Sequence, residues 1–249
     1  MSEQATFWEH LDELRSVIIR SLLMVAVAAV AAFFLKDLLF QVVLAPRSSN
    51  FVSYRLMGIT EDFYLNLMNI GLTEQFMTHM KVALYAGLLV ASPYVLYQLF
   101  GFISPGLYQN ERRAARWIVV SAYAMFIIGT LVDYLLIFPL TVRFLGTYQV
   151  SPDVANMLTL QSYIDTLIGM SFVMGVVFEL PVVCAILGKM GVLNRELMAA
   201  YRRHAIVAIL VVAAIITPTT DVFTLFVVSL PIWLLYEASI WIVPQAHKK

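Results

Sequence analysis

Long, predominantly apolar runs separated by short polar breaks are the feature that most constrains how this chain can fold. The first run extends from Val17 to Leu35, and others occupy residues 76–100, 117–138 and 163–187. A helix needs about 20 apolar residues to cross a bilayer. Hydrophobic residues make up 61% of the chain and charged residues 13%, whereas soluble domains average about 45–50% and about 25%. The sequence therefore predicts an all-α integral membrane protein.

Two further apolar runs, near the C-terminus, are shorter. Ala205–Ile216 would reach about 18 Å as a helix, which is less than the roughly 30 Å of a hydrocarbon core. The return run, Val222–Leu235, is also brief before Glu237. Because no polar linker or internal repeat divides the chain, we predict one domain, 1–249, with six transmembrane helices, the last two of them short. Their approximate bounds are 17–44, 76–100, 117–138, 163–187, 205–217 and 222–241.

Lysine and arginine mark cytoplasmic loops, so their distribution predicts the orientation of the spans. With the N-terminus inside, the larger set of basic residues is cytoplasmic and both termini lie in the cytoplasm. The predicted cytoplasmic residues are Arg15, Arg20, Arg112, Arg113, Arg116, Lys189, Arg195, Arg202, Arg203, Lys248 and Lys249, and the outside ones are Lys36, Arg47, Arg55, Lys81 and Arg143. The outside segment 46–75 mixes aromatic and charged residues, which predicts an extracytoplasmic cap of short helices.

Acidic residues precede the first span on its cytoplasmic side. Residues 5–15 place apolar side chains at helical spacing, and Glu9 and Glu13 share a different face of the predicted amphipathic helix. Two interpretations are open: the acids are simply solvated, or they form an acidic face for a cationic partner. His10 with Glu13 is too sparse for a metal site.

A second acid, Glu111, lies in the loop Phe102–Arg113. The preceding helix ends there because Pro105 lacks the amide donor that a continuing helix needs. Arg112 and Arg113 either neutralise Glu111 locally or leave it available to a partner. The basic cluster places this loop on the cytoplasmic side, the same side as Glu13.

A third acid, Glu179, lies inside the fourth apolar run and is followed by Pro181. A carboxylate at the centre of a transmembrane helix costs about 2.5–3.5 kcal/mol even on lenient insertion scales. Glu179 is therefore expected to face a polar cavity in the bundle, or to be a neutral acid bonded to a neighbouring helix.

Several function classes find no support in the sequence. It contains no zinc-protease motif, nucleophile elbow, phosphate-binding glycine loop or dinucleotide fingerprint, so we expect no enzyme activity, metal or cofactor. Formal net charge is zero, which argues against a nucleic-acid partner. The single cysteine, Cys184, can form no disulfide within the chain and is interpreted as a core residue.

Five short motifs, taken together and in chain order, resemble those of the TatC family, the receptor subunit of the twin-arginine protein translocase. The resemblance covers nearly the whole chain, although each motif alone would be weak. The motifs are His10-Leu-Asp-Glu-Leu-Arg15, the loop Phe102–Arg113, Phe178-Glu-Leu-Pro181, Thr217-Pro218 with Asp221, and Leu235-Tyr-Glu237.

This resemblance implies a core receptor subunit in the cytoplasmic (inner) membrane of a prokaryote. Such a subunit binds the diarginine signal peptides of folded precursor proteins at its cytoplasmic face. It self-associates in the lipid bilayer and exports its cargo together with small single-span subunits of the TatA and TatB type. Glu13 and Glu111 match the acids that receive the paired arginines, and Arg15 and Phe102 lie in the same motifs. Glu179 matches an intramembrane acid.

The C-terminal motifs imply contacts with the single-span subunits at Thr217, Asp221, Leu225 and Tyr236. The family commonly has glutamine where this chain has Leu225, so a polar contact is not carried over at that position. An alternative function from another class is a small ion-coupled secondary transporter that uses Glu179. A purely structural scaffold is a third interpretation, in which charge changes at Glu13 and Glu111 would be harmless.

Overall fold

The structure is a computed structural model that describes residues 7–59, 61–103, 112–151, 153, 156–217 and 221–244; side chains are described for these except at 7–10, 103 and 112–116. Most of these residues are helical. The helices are α1 (Phe7–Phe33), α2 (Lys36–Val43), α3 (Val52–Leu56), α4 (Glu74–Ile103), α5 (Arg112–Val132), α6 (Phe138–Thr147), α7 (Leu160–Val177), α8 (Leu180–Lys189), α9 (Arg195–Ala200), α10 (Arg202–Ile216) and α11 (Val222–Ile242), with short strands β1 (Leu67–Met68) and β2 (Leu158–Thr159).

Within these described ranges, five helical stretches are long and apolar enough to cross a membrane. The mostly helical fold with several apolar spans is therefore confirmed. The fifth predicted span, 205–217, corresponds to α10, whose 15 residues would reach about 22 Å at about 1.5 Å per residue. A sixth crossing, the cytoplasmic termini and the outer cap stay predictions. The five stretches are Leu11–Phe33, Glu74–Phe102, Trp117–Thr147, Leu160–Lys189 and Val222–Ile242.

The chain divides into two compact units. The first comprises Met1–Leu39 and His79–Ala124, and the second comprises Phe40–Thr78 and Met125–Lys249. In the first unit, α1 packs closely against α4 at Gly87, where a Cβ would lie 2.5 Å from the backbone nitrogen of Ala29. Only glycine permits this approach of the two helices.

The third span is built from α5, a π-turn at Asp133–Ile137 and α6, which follow one another without a break. From Met125 onward it belongs to the second unit, where the end of α5 lies against α7 at Gly129. A Cβ at Gly129 would lie 2.7 Å from the carbonyl oxygen of Met174 and 2.7 Å from the Cβ of Phe178. Because Gly129 has no side chain, the backbone of α5 can approach the Met174 carbonyl and the Phe178 side chain closely.

The core of the second unit joins four elements. Buried residues of the π-turn, α7, α10 and α11 form one hydrophobic cluster with Phe178, which follows α7. The helix of the fourth span is interrupted at Phe178 and Glu179, between α7 and α8, where Pro181 occupies the first turn of α8. Proline cannot donate to the carbonyl four residues earlier, so the helical ladder opens at this point. The cluster consists of Ile137, Met170, Met174, Phe178, Ile209, Ala213, Val228 and Ile232.

The segment between α2 and α4 is held by two buried polar side chains. The hydroxyl of Tyr54 lies 2.8 Å from the Pro46 carbonyl oxygen and 3.0 Å from that of Pro139, to which it donates. Burial raises the pKa of the Tyr54 hydroxyl, and the positive charge of Arg143 offsets only part of this increase. The segment contains the short helix α3, and also strand β1, which pairs in parallel with β2 through Leu67 and Leu158 and was not predicted.

Glu74 is the second of these side chains, and it connects the segment to α7. One carboxylate oxygen accepts the amides of Ile70 and Gly71, at 3.0 and 2.9 Å, and the other accepts the amide of Gln161 at 3.0 Å. Amide donors in an early helical turn lack partners within the helix. Glu74 therefore satisfies the first turn of α7 and the loop before its own helix.

Candidate functional site

The predicted N-terminal acidic face lies on α1. Asp12, Glu13 and Arg15 are exposed, and Val17, one turn further on, is buried. The predicted short amphipathic helix is not separate from the first span, since α1 continues without a break from Phe7 to Phe33. No proline or glycine lies between these bounds to end it. Glu13 is therefore presented on the first turns of a long, rigid element.

The second half of the predicted signal-peptide site is only partly visible. Phe102 is half-buried at the C-terminal end of α4, in the same compact unit as Glu13. Glu111 and the helix-ending Pro105 lie outside the described residues. The structure thus describes Glu13, Arg15 and Phe102, and their convergence on Glu111 stays a prediction.

Glu179 occupies the break between α7 and α8. Its backbone amide donates to Val176 and its carbonyl accepts from Val183, so the main chain stays satisfied. The side chain is different, because both carboxylate oxygens are shielded from solvent and neither has a hydrogen-bond partner among the described residues. Buried polar groups normally find a partner. Among the described residues, Glu179 is therefore an acid whose buried carboxylate oxygens lack the usual partner.

The predicted partner-contact residues divide between the two ends of the hairpin formed by α10 and α11. At one end Thr217 is buried, and its hydroxyl donates to the Ala214 carbonyl at 3.5 Å. Asp221 caps α11, since its carboxylate accepts the Thr224 amide at 2.7 Å. Pro218, between them, lies outside the described residues. Both described side chains therefore have a local capping role.

Leu225 and Tyr236 lie further along α11, and both pack against buried clusters of the second unit. The Tyr236 hydroxyl donates to the Met198 carbonyl at 2.9 Å, which ties α11 to α9. Nearby, Arg202 and Glu237 form an ion pair at 2.9 Å. This end of the hairpin is consequently fixed to the short helices before it.

Sequence reasoning found no role for one polar pair in the bilayer. Asp133, the first residue of the π-turn, is fully buried, and the Ser171 hydroxyl on α7 donates to its Oδ2 at 2.5 Å. Asp133 could have been singled out from the sequence, because it is an acid inside an apolar run. Its partner could not, because Ser171 lies 38 positions away and the pairing depends on the α5–α7 contact.

Comparison with known proteins identifies relatives over almost the full length. A family model described as Sec-independent protein translocase protein (TatC) matches residues 9–231. A protein of that name from Carboxydothermus hydrogenoformans is 31% identical over 238 residues, covering 95% of this chain and 92% of the relative. Another, from Koribacter versatilis, is 35% identical over 248 residues, covering 98% and 87%.

Solved structures give the same result for the fold. A crystal structure of the twin-arginine translocase receptor TatC in DDM superposes with a TM-score of 0.80 at 31% identity, covering 94% of this chain and 99% of that one. A second crystal structure of the same receptor superposes with a TM-score of 0.77 at 32% identity. The family match thus spans the positions of the first four sequence motifs, and the solved structures share the fold.

Proposed function

The chain belongs to the TatC family of Sec-independent protein translocase proteins, and we propose that it is the core receptor subunit of a twin-arginine translocase. The family and the apolar helices make it an integral membrane protein of the prokaryotic inner membrane and a component of protein-transport machinery. In the proposed function it binds diarginine signal peptides at its cytoplasmic face and assembles with single-span subunits of the TatA and TatB type.

The proposed signal-peptide site consists of Glu13 and Glu111, with Arg15 and Phe102 beside them. The observation that carries it is the exposed acidic surface on the first turns of α1, where Glu13 stands on a continuous helix. Arginine presents a planar fork that carboxylates accept through two parallel hydrogen bonds. Two carboxylates on one face are thus suited to two adjacent arginines.

Binding of a synthetic twin-arginine signal peptide to the purified protein in lipid nanodiscs tests this site. Charge-assisted hydrogen bonds contribute about 1.5–3 kcal/mol, so Glu111→Ala or Glu13→Gln should weaken binding about ten- to a hundredfold. Asp12→Asn is the matched control, because it removes one exposed charge from the neighbouring position on α1 and should change affinity little. Unchanged affinity in both Glu variants would exclude the proposed site.

The proposed orientation has six spans, both termini inside and the segment between α2 and α4 outside. Single cysteines at Ser48 and Ser151, in a Cys184→Ala background, should react with an impermeant thiol reagent added from outside, and one at Ser2 should not. Labelling of Ser2→Cys and Ser151→Cys from the same side would refute this topology.

Glu179 is proposed as an intramembrane polar site for the hydrophobic part of a signal peptide or for a partner's span. Its two unpartnered oxygens support this role. They also keep open the alternative of a small ion-coupled transporter, since an unpaired intramembrane acid is typical of ion pathways. The receptor predicts altered peptide and partner crosslinks in Glu179→Gln and no ion transport by the purified protein alone. Transport by that protein in vesicles, lost in Glu179→Gln, would favour the transporter.

A further inference from the structure

The bilayer part of the second unit contains one acid that the proposed receptor function does not use. Asp133 is 0% exposed and lies near the middle of the stretch Trp117–Thr147. Its Oδ2 is hydrogen-bonded to Ser171, and its Oδ1 has no partner among the described residues. It stands at the start of a π-turn, a helical irregularity that is often found at functional sites.

The described side chains around Asp133 provide no compensating positive charge. Helices α3, α6, α7 and α11 pack against the π-turn, and their described charged and titratable side chains are engaged elsewhere. The hydroxyls of Tyr54, Tyr163 and Tyr236 donate to backbone carbonyls. Arg55 on α3 donates to Asn50, Arg143 on α6 pairs with Glu61, Asp165 on α7 accepts from Gln161, and Glu237 on α11 pairs with Arg202. Within the π-turn, the Tyr134 hydroxyl donates to the Val42 carbonyl. Among the described residues, no cation forms an ion pair with Asp133.

Glu179 does not share a proton with Asp133. Ser171 precedes Glu179 by eight residues, which corresponds to about 12 Å along a helix. The buried apolar side chains of Met174 and Phe178 lie on the same stretch, between the two acids. Each acid therefore has its own environment.

We propose that Asp133 and Ser171 form an intramembrane proton site, in which Asp133 is a neutral carboxylic acid that clamps the π-turn after α5 to α7. An ionised carboxylate without a cation is far more costly to bury than a neutral acid, which needs one good hydrogen bond. The bound ligand is a proton taken from water as the chain folds, and it converts the carboxylate to the acid. The contact between Ser171 Oγ and Asp133 Oδ2, at 2.5 Å, lies within hydrogen-bond distance, and it supplies the one hydrogen bond that the neutral acid needs.

The clamp has a consequence for the neighbouring helices. Gly129 lies on α5, one turn before Asp133, and contacts Met174 and Phe178. Met174 lies one turn after Ser171 on α7, and Phe178 directly follows that helix. The polar pair and the glycine contact thus act on adjacent turns of the same helix crossing. Asp133 is a positioning residue for the crossing that leads to Phe178 and Glu179.

Infrared spectroscopy of the protein in lipid nanodiscs, with isotope-labelled aspartate, tests the proton site. Labelling removes every glutamate from the comparison. The other described aspartates are exposed, except Asp221, which is partly exposed and bonded to the Thr224 amide. We expect one protonated aspartate carbonyl band at neutral and mildly alkaline pH. Asp133→Asn, which keeps the shape and a hydrogen bond to Ser171, should abolish this band.

Ser171→Ala is the second variant, and it retains the acid. It should keep the intensity of the band but shift it to the frequency of a more weakly hydrogen-bonded acid. Absence of the band in the unmodified protein, or its persistence in Asp133→Asn, would overturn the proton site. If Asp133→Asn does not fold, Ser171→Ala still decides, because an unshifted band in that variant would overturn the clamp. None of these outcomes depends on signal-peptide binding, so the proton site and the receptor function can fail separately.

Discussion

The crossing of α5 and α7 and the hairpin of α10 and α11 belong to the same compact unit but bury their side chains to very different extents. In the most apolar windows of the third and fourth spans, 50% of the residues are buried inside the protein, compared with 22% for α11. The crossing depends on glycine and on a buried polar pair. The hairpin instead turns a row of large apolar side chains outward. The crossing is therefore a closely packed region, whereas the hairpin presents an apolar surface that lipid or another helix can contact.

Gly129→Ala, in the crossing, should cost more stability than the hairpin substitutions Tyr236→Phe and Phe226→Ala. The new Cβ would meet the Met174 carbonyl, a backbone atom that cannot rotate away. Overpacking of this kind costs about 1–3 kcal/mol. Gly169→Ala on α7 is the control, because nothing lies within 4 Å of its Cβ position, and the better helix propensity of alanine should leave it neutral or more stable.

The measurement is thermal unfolding in detergent, in which the loss of the monodisperse elution peak reports the unfolded fraction. A clear fall in the midpoint for Gly129→Ala and none for Gly169→Ala is expected. Equal midpoints for the two variants would show that the crossing is not closely packed at Gly129.

The two helical spans of this crossing could be predicted from the sequence, but the contacts between them could not. The third and fourth apolar runs, and the acid Glu179 with its proline two residues later, were visible as patterns along the chain. The pairing of Asp133 with Ser171 was not, since it depends on which faces of two distant helices meet. The parallel pairing of β1 with β2 was missed for a different reason. Strands of two residues leave no periodic pattern in the sequence. Local periodicity predicts elements, whereas contacts between them follow from packing.

Tyr236→Phe should have an intermediate effect, at the fixed end of the hairpin. The substitution removes the hydrogen bond to the Met198 carbonyl, and net contributions of such bonds are about 0.5–1.5 kcal/mol. Tyr97→Phe on α4 is the control, since that side chain is exposed. A midpoint for Tyr236→Phe no lower than that for Tyr97→Phe would mean that this bond does not hold α11 to α9.

Phe226→Ala should have the smallest effect on stability and the clearest effect on assembly. Phe226 is 64% exposed on α11, and in a bilayer lipid chains can occupy the space that its ring leaves, so no internal cavity forms. Ile232→Ala on the same helix is the contrasting variant, because Ile232 is 2% exposed in the core cluster and its truncation should cost about 2–5 kcal/mol.

If α11 docks a single-span partner, as the proposed function requires, Phe226→Ala should keep the unfolding midpoint and reduce partner crosslinking at neighbouring engineered cysteines. A fall in the midpoint similar to that of Ile232→Ala would contradict the distinction between a closed crossing and an open hairpin. Unchanged crosslinking would instead place the partner on another surface.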